Sequence, residues 1–265
     1  SAAIDAGVVA PDTQYTDTGS VTIQGQRITN TDSRVYGDAT MADVLRFSIN
    51  TGAVFVARTL GIDKFRAGIE RFGFGVRTGI ALAGEVAGDT SALAHREDIY
   101  LATASYGQGI TVTPLQLATA YAAIANGGKL MRPYLVEATV SADGTRRRIE
   151  PRVVRQVVSS RTATLLQGML VSVVQDGYPK RAGVLGYHIG GKTGTAQIPY
   201  PDRPGYSNDM IHTFAGIGPM EHPTFVMVVR IDRPQTKRFA DSTTAPLFGS
   251  IAKFLLQYDG VAPSR

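Results

Sequence analysis

Four consecutive residues, Lys192-Thr193-Gly194-Thr195, combine what an acyl-transfer site needs along one edge of a strand. Lys192 supplies a fixed positive charge. Gly194 carries no side chain, so a peptide-like substrate can lie against the backbone. Thr193 and Thr195 offer hydroxyl donors, and the backbone N–H of Thr195 can point at an oxyanion as it develops. A Lys-[Ser/Thr]-Gly-[Ser/Thr] run arises by chance in roughly one chain in a hundred of this length, so it carries weight.

Two other short motifs carry less. Ser48-Ile49-Asn50 fits an S-x-N pattern that turns up about once in every one or two such chains. Alone it reads as a Ser N-cap and an Asn buried between two helices. Ser250-Ile251-Ala252-Lys253 is the only S-x-x-K in the chain, a pattern that chance supplies about once per chain. It follows the Lys192 run, inside an amphipathic helix, and is read as coincidental.

The elements that must hold these residues follow from periodicity and punctuation. Ser1 to Ala6 reads as the end of a helix closed by a Gly7 C-cap. Residues 8–40 read as loops and short strands. Helices are expected over Met41–Phe47, Thr51–Leu60 and Asp63–Phe72, with Ser48-Ile49-Asn50 at the first junction. Residues 73–96 are Gly-rich and irregular; G-x-G-x-x-x-G there, with no clear strand before it, fails the dinucleotide fingerprint. A short helix over 97–106 leads to a strong one over 114–125, opened by Pro114 and closed by Asn126-Gly127-Gly128.

Strands are expected around Ala142-Asp143-Gly144, with Arg146-Arg147-Arg148 a solvated hairpin edge. Ser159 or Ser160 caps a helix to Gln175. Beyond the Lys192 strand come a polar loop, Pro199 to Asp209, and strands over His212–Ile217 and Thr224–Ile231. A last helix over 244–258 presents Leu247, Phe248, Ile251, Phe254 and Leu255 as its apolar face. Strands clustered late, with helices before and after, predict an α+β fold: an antiparallel sheet packed between helices.

Bulk properties narrow the function. The 265 residues suffice for one layered enzyme domain with a sizeable core. A hydrophobic share of 43% and a charged share of 18% exclude a disordered chain. A net charge of +5 suits an anionic cell-wall polymer or membrane surface and is too weak to point to nucleic acid. With no cysteine there can be no disulfide, thiolate metal site or cysteine nucleophile. His95, His188, His212 and His222 form no metal-ligand spacing, so no metal or other cofactor is expected. Asp98, Asp176 and Asp209 read as surface or loop-ordering groups, with nothing to pair them for acid–base work.

Read end to end, the chain resembles the transpeptidase domain of a class B penicillin-binding protein. The resemblance runs through Ala6-Gly7-Val8-Val9-Ala10-Pro11-Asp12-Thr13, Phe47-Ser48-Ile49-Asn50-Thr51-Gly52 and Phe72-Gly73-Phe74-Gly75-Val76-Arg77-Thr78-Gly79-Ile80. It continues through Ser105-Tyr106-Gly107-Gln108-Gly109-Ile110-Thr111-Val112-Thr113-Pro114-Leu115-Gln116, Ala122-Ala123-Ile124-Ala125-Asn126-Gly127-Gly128, the Lys192 run and His212-Thr213-Phe214-Ala215-Gly216. It implies one transpeptidase domain over 1–265, with a helical subdomain over about 40–130 and the sheet with its C-terminal helix over about 134–258.

It also implies an activity. In such enzymes the serine of an S-x-x-K attacks the D-Ala-D-Ala carbonyl of a peptidoglycan stem peptide. A second stem peptide's amine resolves the acyl-enzyme, and β-lactams stall at the acyl stage. By resemblance Ser48 relays protons to the leaving amine, Asn50 holds the substrate amide and contacts the S-x-x-K lysine, and Lys192 sets the electrostatics. Thr193 and Thr195 bind the terminal carboxylate beside Gly194, and the Thr195 N–H is half of the oxyanion hole.

The family's nucleophile sits on the helix whose tail matches Ser1 to Ala6, so its S-x-x-K is expected shortly before Ser1, with any membrane anchor further upstream. These residues by themselves are then expected to lack turnover and, without that helix, to be poorly soluble. The expected setting is the extracytoplasmic face of a bacterial membrane, beside membrane-bound cell-wall machinery. Alternatives are a non-catalytic homologue or scaffold, a D,D-carboxypeptidase and a β-lactamase; no acid stands out to activate water for the last two.

Overall fold

The computed structural model describes residues 1–203, 205–235 and 238–264, with the side chain of Asp32 outside the description. Helix α1 (Ala2–Asp5) ends in a Schellman motif: Gly7 N–H donates to the Ile4 carbonyl and Val8 N–H to the Ala3 carbonyl, each at 3.0 Å. Gly7 takes the left-handed φ of 68° that this turn requires. Two antiparallel ribbons follow. β1 (Gln14–Asp17) pairs with β4 (Gly37–Thr40), and between them β2 (Ser20–Ile23) pairs with β3 (Gln26–Thr29).

Three helices come next: α2 (Met41–Arg46), α3 (Asn50–Leu60) and α4 (Ile62–Arg71). Thr40 and Asp43 close a capping box at the start of α2. Ala3, Val9, Met41, Val44, Ile49 and Leu60 form the core of this part. α5 (Asp98–Ser105) and α6 (Pro114–Ala125) follow.

The irregular stretch before α5 is pinned by one side chain. Gln116, buried in α6, donates to the Val76 and Ala87 carbonyls at 2.8 and 2.7 Å. Its oxygen accepts from Thr113 N–H at 2.8 Å. Backbone carbonyls from two separate turns of this irregular stretch are thereby satisfied through one buried amide.

Two further ribbons join β5 (Lys129–Met131) to β8 (Val153–Gln156) and β6 (Ala138–Val140) to β7 (Arg146–Arg148); every residue of β7 is exposed. α7 (Ser160–Asp176) is capped by Ser159, whose hydroxyl accepts from Thr162 N–H. The central sheet holds β9 (Gly190–Pro199), β10 (Tyr206–Gly218) and β11 (Phe225–Asp232), antiparallel in the order β11-β10-β9. α8 (Thr244–Tyr258) lies on one face, where Phe214 meets Phe248 with ring centroids 4.7 Å apart. α6 and α7 also pack on the sheet, α7 against β9 and α6 against β10 and β11. The fold is the expected α+β sandwich of helices around an antiparallel sheet.

The face of α8 differs from the expected one. Phe254 is 62% exposed and Leu247 43%, whereas Thr244, Ala245, Phe248, Gly249, Ala252 and Leu256 are buried. Small residues let the helix approach closely: a Cβ on Gly249 would overlap the Arg181 carbonyl. The polar loop is also shorter than expected, because β9 and β10 extend to Pro199 and Tyr206, with Tyr200 N–H donating to the Gly205 carbonyl at 3.1 Å. Pro204 lies outside the described residues.

Candidate active site

Ser48 stands where α2 ends and α3 begins. Its N–H donates to the Leu45 carbonyl and that of Ile49 to the Val44 carbonyl at 3.0 Å, a second Schellman turn. Ser48 occupies the left-handed position, φ 56°, that glycine ordinarily fills. A side chain there costs about 1–2 kcal/mol. Ile49, buried with Val44, anchors the turn from below while the Ser48 side chain faces outward.

Asn50 opens α3, and its amide donates to the Thr29 carbonyl at 3.0 Å. No side chain at the α3 N-cap supplies a hydrogen bond. Asn30, from the far end of β3, takes that part: its Oδ1 accepts from Thr51 N–H at 3.1 Å. Asp17 completes the group. Its Oδ1 accepts from the Thr51 hydroxyl at 2.6 Å, Tyr15 Oη at 3.0 Å and Gly19 N–H at 3.1 Å. Its Oδ2 accepts from Asn30 Nδ2 and Tyr36 N–H, both at 2.8 Å. Burial opposes ionisation of Asp17, but bonds from Thr51, Tyr36, Gly19 and Asn30 prevail and hold its carboxyl below the usual range.

Lys192 reaches Ser48 from the sheet. Its Nζ donates to Ser48 Oγ at 2.9 Å, and contacts the Thr193 carbonyl at 3.0 Å and Thr193 Oγ1 at 3.3 Å. Among the described residues no carboxylate pairs with it. Desolvation lowers its pKa from 10.5 to about 8. The site thus presents a poorly hydrated cation to neutral oxygens.

β9 carries the rest of the run. Lys192 pairs with Ala215, Thr193 with Phe214, Gly194 with Thr213 and Thr195 with His212. The other edge of β9 faces no strand among the described residues, so alternate N–H and C=O groups there are free for an extended ligand. A Cβ on Gly194 would overlap the Thr213 hydroxyl, so a larger residue here would force that side chain to move.

Thr195 Oγ1 accepts from Ala240 N–H at 3.2 Å, which leaves its own proton to donate outward. His212 is fully buried; its Nε2 lies 3.1 Å from the Arg238 carbonyl and its Nδ1 2.8 Å from Thr243 Oγ1. A carbonyl can only accept, so Nε2 carries the proton and Nδ1 accepts from Thr243. Desolvation lowers the His212 pKa and keeps the ring neutral. Together Thr195 and His212 fasten the segment ahead of α8 to the sheet.

The structure therefore brings Ser48, Lys192 and Thr193 into one hydrogen-bonded group, with Gly194 and Thr195 next along the strand. Among the described residues no hydrogen bond links Asn50 to Ser48 or Lys192. Ser250 and Lys253 stay apart from this group on α8, where the Ser250 hydroxyl donates to the Pro246 carbonyl. His95 stacks on Tyr100, and His188 bonds Glu221. Asp98 pairs with Arg58 and Asp209 with Arg233. Asp17 and Asn30 carry no signal in the sequence, since they sit in the stretch 8–40 that reads as loops and short strands, and Thr51 reads only as the start of a helix.

An open-edged strand that turns its lysine onto a serine at a helix junction is the layout of this α+β domain. The chain belongs to the family described as the penicillin binding protein transpeptidase domain, whose model matches residues 1–253. It is 35% identical over 255 residues to stage V sporulation protein D of Bacillus subtilis, covering 95% of this chain and 39% of that protein. It is 34% identical over 229 residues to peptidoglycan D,D-transpeptidase FtsI of Escherichia coli, covering 86% and 37%. The chain thus spans about two fifths of the length of these relatives.

Among solved structures, penicillin binding protein 3 of Mycobacterium tuberculosis complexed with aztreonam superposes with a TM-score of 0.90 at 33% identity, covering 100% of this chain and 61% of that one. The transpeptidase domain of penicillin-binding protein 3 from Burkholderia pseudomallei gives 0.86 at 30%, covering 100% and 77%.

Proposed function

We propose that this chain is the transpeptidase domain of a peptidoglycan D,D-transpeptidase. In this reading residues of about 40–130 form its helical part and those of about 134–258 its sheet part. The observation that carries the reading is the 2.9 Å contact between Lys192 and Ser48 at the mouth of an unpaired strand edge. Relatives named as D,D-transpeptidases and a family member solved with a β-lactam point the same way.

In the reaction a serine oxygen adds to the carbonyl between the two D-alanines of a donor stem peptide. The ester bond forms, the C–N bond breaks, and D-alanine leaves with the proton. An acceptor amine then displaces the serine and forms the crosslink. Lys192 stabilises negative charge on the donor and, through its hydrogen bond, orients the Ser48 hydroxyl that passes the proton to the departing amine. Asn50 holds the donor amide through its side-chain carbonyl oxygen. Thr193 and Thr195 bind the terminal carboxylate, with Gly194 between them, and the Thr195 N–H faces the oxyanion. β-Lactams enter as donor mimics. The domain works on the extracytoplasmic face of a bacterial membrane, alongside membrane-bound cell-wall machinery.

The full gene product is incubated with a penicillin and the adduct mapped by mass spectrometry. A serine adduct that Lys192→Ala slows at least tenfold, the scale of losing one positioned charge, is the expected result. No adduct on folded protein defeats the reading in favour of a non-catalytic homologue. An adduct on Ser48 itself would transfer the nucleophile's part to the Ser48–Lys192 pair.

A further inference from the structure

We infer that Asp17 is a positioning residue: a buried carboxylate that, through Asn30 and Thr51, fixes the turn carrying Ser48 and Asn50. The inference rests on the acyl-transfer reading above for its functional meaning. Its geometric content stands alone.

Asp17 is 1% exposed and has no cationic partner among the described residues, yet it receives five hydrogen bonds. Their donors come from four separate stretches: β1 and the turn after it, the end of β3, the approach to β4, and the second residue of α3. A carboxylate can only accept, and that dictates the rest of the network. Because Oδ2 accepts, Asn30 must turn its NH2 toward Asp17, where it donates at 2.8 Å. Its Oδ1 is thereby aimed at Thr51 N–H. The Thr51 hydroxyl goes to Asp17 as well.

Both polar hydrogens of Thr51 are therefore spoken for, one residue past Asn50 and three past Ser48. Thr29, adjacent to Asn30, holds the Asn50 amide. The left-handed backbone at Ser48 leaves the turn intrinsically strained, so an external clamp on the following residues is what holds Ser48 in reach of Lys192.

The test uses the full-length protein, Asp17→Asn, and the exchange Asp17→Asn with Asn30→Asp. Asp17→Asn alone places an NH2 against donors on whichever side the new amide points. In the exchanged pair, the carboxylate now at position 30 still accepts from Thr51, and the amide now at position 17 donates to it. Tyr36 N–H and the Arg34 carbonyl lose partners in that exchange. Should Asp17→Asn fail to fold, Thr51→Val removes one donor at nearly constant volume and serves in its place.

Hydrogen–deuterium exchange of peptides spanning residues 46–53 and the rate of penicillin acylation are followed together. Exchange in 46–53 is expected to accelerate at least tenfold in Asp17→Asn, with the β9–β11 peptides unchanged, and to return toward the parent rate in the exchanged pair. Acylation is expected to fall by roughly tenfold to a hundredfold, the size of a misplaced catalytic group, and to recover with the exchange although the melting temperature stays low. Unchanged exchange in 46–53, or equal acceleration across the sheet without recovery, overturns the inference. A parent protein that takes no penicillin defeats the functional reading, while the exchange data still decide the anchor.

Discussion

The ammonium of Lys192 rests 2.9 Å from the hydroxyl of Ser48, joining the sheet to the helical half of the molecule with no carboxylate paired to it among the described residues. The lysine's pKa in the folded protein, about 8, lies below the 10.5 of the free side chain. Below pH 8 it is charged in both folded and unfolded states, and the folded state carries the full cost of desolvation. Between pH 8 and 10.5 the unfolded chain binds the extra proton, so this group's contribution to stability rises with pH. Lys192→Met is therefore expected to melt roughly 2 °C or more above the parent at pH 7, an advantage that shrinks toward pH 10.5. Penicillin acylation should slow at least tenfold. Scanning calorimetry at pH 7 and pH 10 checks both halves; a variant that melts lower at pH 7 would refute the desolvation argument.

Ser48 supplies a second conflict between stability and chemistry. Glycine adopts its left-handed backbone without the steric cost. Ser48→Gly is expected to stabilise the fold by about 1 kcal/mol in urea denaturation and to slow acylation. A destabilised Ser48→Gly would mean that the hydroxyl contributes more through Lys192 than the backbone loses.

The closeness of the Thr213 hydroxyl to Gly194 predicts a rescue. Gly194→Ala should cost about 1–3 kcal/mol by overpacking, because its new methyl collides with the Thr213 hydroxyl. Adding Thr213→Ala removes that oxygen and should recover at least half of the loss. A double-mutant cycle in chemical denaturation measures the coupling, and strict additivity would rule the contact out.

Gln116 should matter for order in a region far from the chemistry. Gln116→Leu leaves the Val76 and Ala87 carbonyls without the Gln116 donor, at a cost of about 1–2 kcal/mol. Limited proteolysis should then cut first within residues 73–88. If the first cleavage falls elsewhere, the pin is not what holds that loop.

Several elements were legible because their ends are punctuated. Pro114 and Asn126-Gly127-Gly128 bound α6 at the residues where it starts and stops. The resemblance named Ser48 and Lys192 together, although 144 positions separate them. Side-chain size misled the reading of α8: large apolar residues suggested one stripe, but Ala245, Gly249 and Ala252 face inward beside Phe248 and Leu256, and at Gly249 a Cβ would meet the Arg181 carbonyl. β5 escaped notice because three residues are too few for a period, and their partner in β8 lies beyond a whole hairpin. The Asp17 network was invisible for a deeper reason. A buried carboxylate is tolerable only when donors from distant segments converge on it, and convergence is not a local property.

The left-handed turn at Ser48 also bears on how a population of such genes would drift. Directed evolution of this gene for heat tolerance alone should enrich Gly at position 48 and apolar residues at 192. Screens that score only survival of the fold would thus erode the two residues to which the proposed chemistry is assigned, long before the architecture shows any sign of loss.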